Sequence, residues 1–141
     1  MAKKSGLKQD ELTIASNFAH LDKVEKFIYK ICKKAKLTED QTDNMAIAIT
    51  ELVNNGIIHA NKQDSKKTVT VQADYKDDRI IVSIIDQGEG FDPDEIDNPT
   101  DPENLLKQNG RGVFLVKNLI DEVEIFPSES GTKVVITEFL P

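Results

Sequence analysis

Residues 67–86 read KTVTVQADYKDDRIIVSIID, and the way this stretch pairs with itself decides the fold class. Val69, Val71, Ala73 and Tyr75 alternate with polar residues, the period of a strand with one buried face. After Lys76-Asp77-Asp78 an apolar run follows from Ile80 to Ile85. The two segments predict an antiparallel hairpin whose second strand lies deep in a sheet. A parallel doubly wound sheet needs a helical crossover between successive strands, and three turn residues cannot supply one.

On the N-terminal side, LTIAS (12–16) alternates weakly, as an edge strand does. Leu21, Val24, Phe27, Ile28, Ile31, Cys32 and Ala35 then recur at spacings of three and four, predicting a helix over about 19–36. Thr38 followed by Gln41 has the form of a capping box, in which each residue satisfies an orphan amide of the other. It predicts a second helix reaching about residue 60, with Met45, Ile49, Leu52, Val53, Gly56 and Ile57 turned to the core. On the C-terminal side, residues 91–109 carry three prolines and six acidic residues, the composition of a long functional loop. From Gly112, VFLVKNLIDEV predicts a short helix packing through Phe114, Leu115, Leu119 and Ile120. VEIFP (123–127) and TKVVITEFL (132–140) predict a closing hairpin. The sum is a single α+β domain over 1–141, a two-layer sandwich of a mixed, mostly antiparallel sheet with helices on one face.

Composition narrows function. A chain of 141 residues buries roughly 70% of its unfolded surface, so it needs no disulfide framework, and its one cysteine, Cys32, falls in a helical apolar stripe. No apolar stretch approaches the ~18 residues of a membrane span, and no apolar segment follows the two N-terminal lysines, so a soluble cytoplasmic protein is expected. A net charge of −7 argues against a nucleic-acid surface. An anionic ligand must then be held locally, by a metal ion, helix N-termini or a few placed cations.

Three constellations could do chemistry. Glu51, Asn55 and His59 stand at i, i+4 and i+8 of the second helix and share a face. Such a stripe is either a solvated polar face or a site where Asn offers a hard oxygen to Mg²⁺ and Glu accepts a proton. The loop DQGEGFD (86–92) places Gly88 and Gly90 where a calcium loop needs ligands, and Asp97 where it needs a bidentate Glu. No Gly-Lys-Ser/Thr tripeptide exists for a P-loop. What remains is either an exposed turn or a carboxylate, Asp86, ending a buried strand ahead of two glycines that admit something flat or bulky. In NGRGVFLV (109–116), Gly110 and Gly112 flank Arg111 before a helix, an arrangement that serves loop closure or presents amides to an anion.

Taken together and in order, ELVNNGIIHA (51–60), DQGEGFD, NGRGVFLV and GTKVVI (131–136) resemble the N box, the two glycine boxes and the closing glycine-threonine strand of the GHKL superfamily. That superfamily joins gyrase-type topoisomerases, histidine kinases and the MutL repair proteins, and the likeness runs from about residue 40 to 139. Within it, length and the N-terminal strand and helix resemble the small bacterial anti-sigma-factor serine kinases. The resemblance implies a Bergerat-type ATP-binding fold with an ATP lid at about 91–109. It implies Glu51 as the general base and Asn55 as the ligand of a Mg²⁺ bridging the ATP phosphates. Asp86 would accept from the adenine amino group with Thr132 nearby, Gly88 and Gly90 would let the nucleotide pack closely, and Gly110, Arg111 and Gly112 would face the phosphates. These kinases often carry an arginine where Gln108 stands here, and Arg111 is the cation available to replace it. The implied partners are a small serine-phosphorylated antagonist protein, a sigma factor and a second copy of the chain, with no nucleic acid or membrane. A non-catalytic ATP-sensing module that binds a protein is the alternative function.

Overall fold

A computed structural model describes residues 9–88 and 112–141, and the residues between and before them, including the 91–109 segment, lie outside the described residues. Strand β1 (Gln9–Ala15) leads through a 3₁₀ turn (Phe18–His20) into α1 (Leu21–Ala35) and α2 (Glu39–Asn55), which continues as a π-helical segment (Gly56–Ala60). Then come β2 (Thr68–Tyr75), β3 (Arg79–Asp86), α3 (Gly112–Leu119), β4 (Glu122–Ser128) and β5 (Gly131–Phe139). The strands form one five-stranded sheet in the order β1-β2-β3-β5-β4, and every pairing is antiparallel.

The predicted hairpin is the centre of this sheet. Its register aligns Val71 with Ile84 and Ala73 with Val82. One apolar row runs across all five strands through Leu12, Val71, Ile84, Val134 and Ile125. Because side chains alternate along a strand, Ile80, Val82, Ile84 and Asp86 share the inward face of β3. On β5 the same alternation turns Val134, Ile136 and Glu138 inward.

The helices cover that face through the stripes read from sequence. Val24, Phe27, Ile28, Ile31 and Cys32 of α1 are buried, as are Met45, Ile49, Leu52 and Val53 of α2. Burial pushes the Cys32 thiol up to about 11, the behaviour of a core hydrophobe. The Thr38–Gln41 capping box forms in full, with Gln41 N–H donating to Thr38 Oγ1 at 3.1 Å and Thr38 N–H donating to Gln41 Oε1 at 3.0 Å. Gln41 also ties α2 to β5, its Nε2 donating to Glu138 Oε2 at 3.1 Å and to the Phe139 carbonyl at 2.8 Å.

Two expectations require correction. Helix α3 ends at Leu119, so Glu122 and Val123 belong to β4. Its packing face is Val116 and Leu119, continued by Ile120 just beyond its end, whereas Phe114 and Leu115 are exposed. On an eight-residue helix that is apolar nearly all round, periodicity does not single out which side meets α2. No helix among the described residues is long and apolar enough to cross a membrane.

Candidate functional site

Asp86 is the inward-facing residue at the end of β3, and the chain around it is built from residues that leave room. Gly56, the first residue after α2, lies where an added Cβ would sit 3.5 Å from Asp86 Cβ and 3.2 Å from Val69 Cγ2. A Cβ on Gly131 would fall 2.2 Å from the Asp86 carbonyl oxygen, and Gly131 holds φ +147°, a conformation that only glycine adopts without strain. A Cβ on Gly88 would meet the Ala60 carbonyl oxygen at 2.5 Å. Three glycines thus bring α2, the β4–β5 turn and the loop after β3 to close quarters around one carboxylate.

Two backbone amides orient that carboxylate. Thr132 N–H donates to Asp86 Oδ1 at 3.0 Å and Gly88 N–H donates to the same oxygen at 3.1 Å. Asp86 Oδ2 has no hydrogen bond among the described residues. Burial drives the Asp86 carboxyl above its ordinary value of 3.8, while the two amides and the Lys67 charge pull the other way. A half-buried carboxylate with one oxygen held by two amides and the other unbonded suits a neutral N–H donor on a ligand, which gains a charge-assisted hydrogen bond without bringing a second charge.

Glu51 and Asn55 occupy successive turns of α2, the last residue of which directly precedes Gly56. Asn55 is 8% exposed and its Nδ2 is buried with no hydrogen-bond partner among the described residues, as is Oδ1 of the neighbouring Asn54. An uncompensated buried amide costs stability and marks a place where something other than the fold is served. Glu51 is half-buried. No cluster of three His, Cys, Asp or Glu side chains able to hold a metal exists among the described residues. One amide oxygen and one carboxylate fit Mg²⁺ that arrives with phosphate and water ligands, and do not fit a resident metal cage.

The structure thus places Asp86, Gly88 and Thr132 in one cluster and brings the end of the Glu51–Asn55 helix against it through Gly56. Gly112 opens α3, which packs along α2. Gly90, Gly110 and Arg111 lie outside the described residues. His59 falls in the π segment, whose wider turn ends the regular i+4 spacing after Asn55, and its side chain is also outside the description.

Sequence reasoning missed Asn61. This residue is 0% exposed and fully bonded: Nδ2 donates to Ser16 Oγ at 2.6 Å and to the Thr68 carbonyl at 2.9 Å, and Oδ1 accepts from Gln87 N–H at 2.9 Å. At the end of a helical pattern an Asn reads as an ordinary cap. Gly56 and Gly131 were legible only as a core position and a turn. The one available signal was their place inside motifs beside Asn55 and Thr132.

The chain matches, over residues 14–138, the family described as the histidine kinase-like ATPase domain. It is 30% identical over 116 residues to the serine-protein kinase RsbW of Bacillus velezensis, covering 78% of this chain and 72% of that protein. It is 27% identical over 137 residues to the RsbW of Staphylococcus epidermidis, covering 92% of this chain and 86% of that one. Among solved structures, the RsbU and RsbW domains of a Mycobacterium tuberculosis protein superpose with a TM-score of 0.69 at 20% identity, over 94% of this chain and 32% of that longer one. The mycobacterial sensor histidine kinase MprB superposes with a TM-score of 0.56 at 14% identity, over 94% of this chain and 97% of that one. The sheet, the helix layer and the sequence match converge: this chain belongs to the histidine kinase-like ATPase domain family.

Proposed function

We propose that the protein is a Mg-ATP-dependent serine-protein kinase of the anti-sigma-factor type, acting on a small antagonist protein in a partner-switching pathway. The observation that carries this reading is the Asp86 cluster, a carboxylate with one oxygen fixed by two amides and the other open, walled by glycines. Similarity to serine-protein kinases named RsbW supports the reaction class.

Asp86 Oδ2 accepts from the exocyclic amino group of adenine, with Thr132 at its side and Gly88 and Gly90 letting the base lie close. Asn55 would hold the Mg²⁺ that arrives with ATP through its side-chain oxygen, and Gly110, Arg111 and Gly112 would offer amides and one cation to the phosphates. That Mg²⁺ offsets phosphate charge when bound. Glu51 accepts the proton of the substrate serine as its oxygen bonds to the γ-phosphorus. The bond from that phosphorus to the β,γ-bridging oxygen breaks, and ADP leaves with the electron pair. Catalysis here is positioning and charge stabilisation. Binding of a sigma factor and pairing of two copies belong to the same proposal.

The test is incubation with Mg-ATP and a small antagonist protein from the same genome, read as phosphoserine. Transfer by the wild type and its loss, by about 10²-fold or more, in Glu51→Ala with nucleotide binding retained supports the assignment. ATP binding without transfer to that partner would favour an ATP-sensing module instead.

A further inference from the structure

We propose that Asn61 is a positioning residue for the nucleotide site, clamping the loop after Asp86 to the end of the helix that carries Glu51 and Asn55. The inference rests on the functional reading above and goes beyond it, because Asn61 touches neither the implied nucleotide nor the implied metal.

Four segments meet at its buried amide. Ser16 directly follows β1, Thr68 opens β2, Asn61 itself directly follows the π segment, and Gln87 is the first residue after Asp86. Both Nδ2 bonds anchor Asn61 to the sheet, and its Oδ1 holds the Gln87 amide. Ser16 is held in turn, its backbone N–H and its Oγ each donating to the Lys67 carbonyl at 3.0 Å. Gln87 answers from the other side, its Oε1 accepting from Thr68 N–H at 2.8 Å. Next along the chain, Gly88 lies directly on the Ala60 carbonyl and donates to Asp86 Oδ1.

The geometry explains why the clamp matters for binding. Asn55 and Asp86 serve opposite ends of a nucleotide, phosphates and base, and they sit on separate elements. Asn61 follows Asn55 by six residues and grips the residue that follows Asp86, so it fixes the span between those ends. The π turn delivers it there, with Asn61 N–H donating to the Gly56 carbonyl at 2.8 Å, the i+5 bond of a widened turn.

The experiment compares wild type, Asn61→Ala, Asn61→Asp and Ser16→Ala for Mg-ADP affinity, for KM and kcat with ATP, and for hydrogen exchange at the Gln87 and Gly88 amides. Asn61→Ala should weaken ADP and raise the KM for ATP by about tenfold while kcat at saturating ATP changes less than about twofold, with faster exchange at both amides. A purely structural role would instead lower the active fraction and hence kcat. Asn61→Asp keeps an acceptor for Gln87 N–H and buries a charge, so it should bind ADP more tightly than Asn61→Ala despite lower thermal stability. Ser16→Ala removes one of the two Nδ2 anchors but leaves the Gln87 bond, so it should weaken ADP less than Asn61→Ala does. Unchanged affinity in Asn61→Ala, or an Asp variant that binds worse than the Ala variant, overturns the positioning role alone. Should the substituted proteins fail to fold, the free wild type decides: an unprotected Gln87 amide overturns the clamp. A wild type that binds no nucleotide overturns the functional reading and the positioning role with it.

Discussion

Replacing Asp86 with Asn separates stability from binding at a single atom. The amide carbonyl still accepts from Thr132 and Gly88 N–H, while the buried negative charge disappears. Burial lifts the folded pKa of Asp86 above 3.8, so ionising it at neutral pH opposes folding, and the substitution should leave Tm unchanged or raise it. Nucleotide affinity should fall by roughly 10- to 100-fold, the cost of about 1–3 kcal/mol for spoiling one buried polar contact. Calorimetry with ADP and a melting curve on the same sample check both halves; a destabilised variant with native affinity would remove Asp86 from the site. The position of Asp86 was legible, because it continues the inward alternation of Ile80, Val82 and Ile84 on a strand the sequence marks clearly. Asn61 was not, because its partners Ser16, Thr68 and Gln87 become neighbours only once the sheet has formed, and no local pattern announces bonds between segments so far apart in the chain.

Helix α2 is held at its start by a motif that can be dissected. Thr38→Ala removes one side of the capping box and should cost about 1 kcal/mol. Gln41→Ala removes the other side together with both tertiary bonds to β5, and leaves Glu138 Oε2 without its donor. It should cost more, about 2–3 kcal/mol, because an unsatisfied buried acceptor adds to the lost cap. Urea denaturation of the two variants measures the difference, and equal losses would mean that the link from helix to sheet contributes nothing. At this scale the strands, both long helices and the capping box followed from periodicity and end signals. The π segment did not, since a single widened turn leaves the apolar spacing of α2 intact on either side. The exposed faces of Phe114 and Leu115 were likewise hidden by a helix too short to show a preferred side.

Across the whole molecule, the inward face of the sheet carries a carboxyl at each end, Asp86 on β3 and Glu138 on β5. The two are bonded differently. Glu138 Oε2 accepts from Gln41 and Oε1 from the Asp121 amide at 3.3 Å, so both its oxygens belong to the fold, whereas Asp86 keeps one in reserve. Burial, then the Asp121 carboxyl beside it, pushes Glu138 above its ordinary 4.5. For both groups the folded state binds its proton more tightly than the unfolded chain. Their contribution is complete below the ordinary values and is lost as pH rises through the raised ones. Asp10 works in the opposite sense, its pKa lowered by hydrogen bonding from Tyr75 and by Lys34 despite partial desolvation, so its contribution is lost only as pH falls below 3.8. Thermal stability should therefore decline as pH rises above the ordinary values of 3.8 and 4.5, more gently in Glu138→Gln, and a Tm that climbs as pH rises above them would refute the assignment. The π turn has a consequence for how such a molecule can drift in length. Removing one residue between Asn55 and Asn61 would rotate everything beyond it by roughly 100° about the helix axis and unseat the Gln87 clamp. The turn at 62–66 is exposed and supplies none of the bonds of that clamp. Among natural variants, gaps should gather in that turn and spare the six-residue interval before it.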